Sequence, residues 1–99
     1  MVKTYCFDID GTICTNTDGD YKNAKPYFER IKEINSLYSE GNKILYFTAR
    51  GSTTNIDWSE TTTHQLDSWG AKYHKLILGK PFADYYIDDK SSDPFLWFA

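Results

Sequence analysis

Asp8 and Asp10 stand one residue apart in the run C-F-D-I-D-G-T-I, Cys6 to Ile13, where an apolar segment ends and a Gly-Thr turn begins. Carboxylates this close repel each other and lose hydration, so they call for a cation or for work on a proton. In an extended chain alternate side chains share a face, so both start on one side of the strand. Where the strand breaks into its turn, the second can swing beside whatever the first touches. The chemistry this layout suits is a nucleophile with a metal, plus an acid/base partner.

Other polar residues close other apolar runs. Thr48 ends K-I-L-Y-F-T and is followed by Ala49 and Arg50, Lys80 comes just after K-L-I-L, and Asp88 and Asp89 follow Y-Y-I.

The elements that must position these residues follow from the hydrophobic pattern. Val2 to Ile9 reads as a buried strand, and the polar stretch Thr15 to Lys25 as a loop. Pro26 suits a first helical turn, with Tyr27, Ile31, Ile34 and Tyr38 at helical spacing and Gly41 as the stop. Lys43 to Thr48 is a second strand, and Ala49 to Asn55 a loop. Asp57 with Glu60 then opens a helix whose face carries Trp58, Thr62, Leu66 and Trp69 and which ends at Gly70. Lys75 to Leu78 is a third strand, and Tyr85 to Ile87 a fourth.

This alternation predicts one α/β domain over residues 1–99: a Rossmann-like parallel sheet in three layers, with helices on both faces. In such sheets ligands sit beyond the carboxyl ends of the strands, where Asp8, Asp10, Thr48, Asp88 and Asp89 all fall. One link is difficult. Only Gly79 to Asp84 joins the third and fourth strands, whereas a parallel crossover needs roughly a dozen residues or more.

A net charge of −3 and a pI near 5.2 argue against nucleic acid and anionic membranes as partners, although Lys72, Lys75 and Lys80 fall close together in sequence. No stretch is apolar enough to span a bilayer, the N-terminus lacks a signal-peptide pattern, and Cys6 with Cys14 reads as two reduced thiols. The expectation is a cytoplasmic protein.

The order D-x-D-G-T, strand-end Thr, Lys, D-D resembles the haloacid dehalogenase superfamily of phosphohydrolases, over Phe7 to Asp89. F-D-I-D-G-T-I is the most specific match; F-T-A-R-G and Y-I-D-D-K match by order and placement. The resemblance implies a Mg²⁺-dependent phosphomonoesterase with Asp8 as the nucleophile that becomes an aspartyl-phosphate. It implies Asp10 as the acid/base and Thr48 as a donor to the phosphoryl group, with Ala49 and Arg50 near the substrate. A lysine neutralises phosphate: Lys80 by position, with Lys75 and Lys90 as alternatives. The implied metal ligands are Asp8, Asp10 through its backbone carbonyl, Asp88 and Asp89.

The family's larger members carry a cap domain, and neither 11–43 nor 51–74 has room for one. The expected molecule is therefore a minimal capless core acting on a small phosphorylated metabolite. A sugar phosphate is favoured, by family analogy with polysaccharide pathways, and a nucleotide or polynucleotide phosphate is second. Thr15–Lys25 is the one obvious flap, and the apolar tail Pro94–Ala99 is a candidate for burial in a second copy.

Two other classes share part of this pattern. A signalling receiver also clusters Asp, Thr, Lys and Mg²⁺, but its acidic pair follows the first strand and its phosphorylated Asp lies mid-chain, unlike here. A non-catalytic phosphate-binding module needs no Asp10. His64 and His74 read as structural, Trp58, Leu66 and Trp69 as core, and Arg50 is as readily a surface residue as a substrate contact.

Overall fold

The computed structural model describes residues 2–99. Three parallel strands, β1 (Thr4–Asp8), β2 (Lys43–Thr48) and β3 (Lys75–Leu78), form a sheet with β2 in the middle. Helix α1 (Phe28–Ser39) links the first two strands and α2 (Ser59–Ser68) the second two, while a single turn, α3 (Pro94–Trp97), lies near the C-terminus.

Register decides which side chains meet. Tyr5 pairs with Ile44, Phe7 with Tyr46, and Tyr46 with Leu76, which sets one apolar face. Ile31 and Ile34 of α1 and Leu66 of α2 share a core with Phe7, Ile44 and Tyr46 on that face. Crossovers of one hand stepping the same way across a sheet leave their helices on the same side. The opposite face carries exposed Cys6 and half-buried Leu45, Phe47 and Ile77. The layer of helix expected there is absent among the described residues, because no crossover steps back past β1.

The fourth strand expected at Tyr85–Ile87 does not form. Tyr85 is 83% and Ile87 95% exposed, and the outer edge of β1 has no partner strand among the described residues. The short link explains this: the chain folds back on itself, with the Tyr86 hydroxyl donating to the Pro81 carbonyl and accepting from the Ala83 N–H.

The flap is tied shut at its base. The Thr15 N–H donates to the Lys25 carbonyl and the Lys25 N–H to Thr15 Oγ1, both at 2.9 Å. In the tail, Phe98 packs 6.2 Å from Phe7, while Phe95 and Leu96 point outward. Among the described residues no helix is long and apolar enough to cross a membrane.

Candidate active site

β1 ends at Asp8, and the chain then turns sharply. Thr12 and Ile13 donate their N–H groups to the Ile9 carbonyl, and Gly11 occupies φ +81°, a conformation that residues with a Cβ rarely adopt. Ile9, apolar and fully buried, belongs to this turn and anchors it in the core instead of extending the strand. Asp8 and Asp10 thus leave the turn in different environments.

Asp8 faces a cleft of about 710 Å³ that runs along the free edge of β1; Thr12, Lys80, Tyr86, Asp88 and Lys90 also line it. Lys80 Nζ stands 3.6 Å from Asp8 Oδ1 and 4.0 Å above the Tyr86 ring. Burial pushes the Asp8 carboxyl above the usual carboxylate range; Lys80 and the Ile9 N–H pull it back, and Asp10 pushes it up again. The Lys80 N–H donates to the Thr48 carbonyl at 3.1 Å, which fixes where its side chain begins.

The lysine alternatives separate by position. Lys75 opens β3 at the opposite end of the sheet, while Lys90 lines the cleft without pairing to Asp8. Lys75 and Lys80 flank opposite ends of one strand, so no basic patch forms from them.

The Asp10 side chain keeps 16% of its surface exposed and stands near enough to Asp8 to act on its charge, but it faces Arg50. Arg50 holds it by two hydrogen bonds, Nε to Oδ2 and Nη2 to Oδ1, each 2.9 Å. Arg50 is 2% exposed, and its Nη1 donates to Thr62 Oγ1 at 3.1 Å and to Gln65 Oε1 at 2.6 Å. It is not a surface residue, since its side chain is enclosed and its donors are taken within the protein.

Thr48 sits at the expected strand end but is 1% exposed, and its Oγ1 accepts the Arg50 N–H at 3.1 Å. It ties its own turn, and like half-buried Ala49 it does not line the Asp8 cleft. Thr12, from the same D-G-T run, does line it and was not singled out in the sequence. A second cleft of about 610 Å³, with Ser52, Ile56, Asp57, Pro81 and Phe82 on its walls, opens beyond β2 and β3.

Among the described residues no three His, Cys, Asp or Glu side chains group to hold a metal ion. Asp88 lines the Asp8 cleft and Asp89 does not, and the Asp10 carboxylate is occupied by Arg50. The Lys90 N–H, with Asp89 beside it, keeps the Asp88 carboxyl below the usual range. Of the three aspartates on the cleft, Asp93 accepts the Phe95 N–H at the start of α3, and Asp8 and Asp88 fit Mg²⁺, which takes one or two carboxylates and fills its shell with waters and substrate phosphate.

His74 is structural: its Nδ1 accepts the Ile44 N–H at 3.0 Å and its ring stacks on Tyr38.

No protein-family model and no curated protein matches this chain. Among solved structures, a structural-genomics target crystallised from Vibrio cholerae is similar, with a TM-score of 0.89 and 28% identity over 99% of this chain and 89% of that one. The α/β fold described above is therefore shared with that protein over nearly all of this chain.

Proposed function

We propose that the chain is a phosphomonoester hydrolase of the haloacid dehalogenase type, a minimal Rossmann-like core that works through an aspartyl-phosphate on Asp8. The observation that carries this reading is the Asp8–Lys80 pair at the carboxyl end of the sheet, in a cleft shared with Asp88. A carboxylate nucleophile and a phosphate dianion repel, so attack needs positive charge held between them. Lys80, 3.6 Å from Asp8, would supply it.

In this reading an Asp8 oxygen attacks phosphorus and the bond to the leaving alcohol breaks, the alcohol taking a proton from Asp10. Water then attacks the acyl phosphate, gives its proton to Asp10, and restores the Asp8 carboxylate as phosphate leaves. Asp8 and Asp88 would hold Mg²⁺, which when bound neutralises charge on the phosphoryl oxygens. The substrate class is a small phosphorylated metabolite, a sugar phosphate before a nucleotide.

Hydrolysis of p-nitrophenyl phosphate with Mg²⁺ tests the assignment. Asp8→Asn should fall to background, and Lys80→Ala should lose roughly 10²–10³-fold in kcat, the range for removing one group that stabilises transition-state charge. Undiminished turnover by Asp8→Asn refutes the nucleophile.

A further inference from the structure

Every N–H of the Arg50 guanidinium has a partner. Nε and one N–H of Nη2 go to the two Asp10 oxygens, the other faces Cys14 Sγ at 4.0 Å, and Nη1 serves Thr62 and Gln65. One face of the group is covered by the Tyr21 ring, 4.6 Å away. Gln65 Nε2 in turn donates to the Tyr21 carbonyl at 2.6 Å, and Tyr21 meets Trp58 edge to face. A single buried cation thus connects the D-G-T turn, helix α2 and the flap.

We propose that Arg50 is a positioning residue, whose task is to hold the Asp10 carboxylate in the orientation that general acid/base transfer requires. The proposal rests on the phosphatase reading. Asp10 sits beside a glycine in a tight turn, where its carboxylate has one contact, with Cys14 Sγ at 3.6 Å, and a single contact does not fix the carboxylate plane. A planar fork gripping both oxygens fixes that plane, which a point charge does not. The grip also distinguishes the oxygens. Oδ1 accepts from Arg50 and lies 3.6 Å from Cys14 Sγ, whereas Oδ2 accepts only the Arg50 Nε–H. Thr62 and Gln65 hold the fork from α2, so they act on Asp10 through Arg50.

The test compares leaving groups. Departure of p-nitrophenolate needs no proton, whereas departure of an alkoxide does, and kcat/KM reports the steps through release of the alcohol. Arg50→Lys should lower kcat/KM roughly 100-fold on glycerol 2-phosphate and only about threefold on p-nitrophenyl phosphate. Gln65→Met, which loosens the fork without touching charge, should show a smaller split in the same direction, and it carries the test should Arg50→Lys fail to fold. Equal losses on both substrates, or no loss on either, overturn the proposal while the phosphatase reading stands. Wild-type protein that hydrolyses neither substrate overturns the phosphatase reading, and the positioning role with it.

Discussion

Arg50 and Asp10, 40 residues apart in sequence, form a two-pronged ion pair whose side chains are 0% and 16% exposed. Such a pair is costly to assemble, since both groups leave water, and costlier to break, since the survivor stays buried and unpaired. Asp10→Ala should therefore lower unfolding stability by about 3–5 kcal/mol, read from urea midpoints at constant m-value. A loss comparable to that of an exposed pair, below about 1 kcal/mol, would contradict the enclosure of Arg50.

Asp8, two residues away, should behave in the opposite sense. Burial raises its folded pKa above the unfolded value, so between the two the native state binds more protons than the unfolded chain. Stability is then lost as pH rises through that window, and the cost persists at neutral pH. Asp8→Asn removes it. In EDTA the variant should melt above wild type at pH 7, with the gap narrowing as pH falls toward the ordinary carboxylate value. A gap that widens on acidification would reverse the sign.

The cysteines should separate cleanly. Cys6 is exposed on the face without helices, whereas Cys14 is fully buried, its thiol pushed up to about 12 by burial first and by Asp10 second. A thiolate reagent at pH 8 should modify one thiol per native chain, and the second only in denaturant. Two fast thiols would mean that the turn from Ile9 to Cys14 opens in the native state.

Local pattern was enough to find α1, α2 and the three strands, and with them the strand ends that carry Asp8 and Thr48. What failed depended on distant partners. Tyr85–Ile87 has strand-like residues, but pairing with β1 requires a return path that Gly79–Asp84 does not provide. Arg50 reads in sequence as a surface residue or a substrate contact, because its partners are distant, on the D-G-T turn and on α2. One signal was legible: Thr62 and Gln65 place polar groups on the helix face that buries Leu66, and a buried Gln needs partners. Those partners are the N–H groups of Arg50, through which α2 is linked to Asp10.

Gly51, next in the chain after Arg50, tests how rigidly this corner is built. It adopts φ +83°, and a Cβ there would lie 2.2 Å from the Ile56 carbonyl oxygen, a backbone atom. The loop cannot easily yield, because the Asn55 N–H donates to the Gly51 carbonyl at 2.9 Å and Ser52 Oγ donates to the Lys80 carbonyl at 2.6 Å. Gly51→Ala thus combines left-handed strain, about 1–2 kcal/mol, with a clash that must displace backbone. Its cost in urea should exceed that of Gly41→Ala, where φ is +96° but a Cβ meets nothing within 4 Å. Because the same displacement pulls on Lys80 through Ser52, Gly51→Ala should also lose activity toward p-nitrophenyl phosphate, and Gly41→Ala should not. Equal stability losses at the two glycines would show that strain alone, without the Ile56 contact, sets the cost.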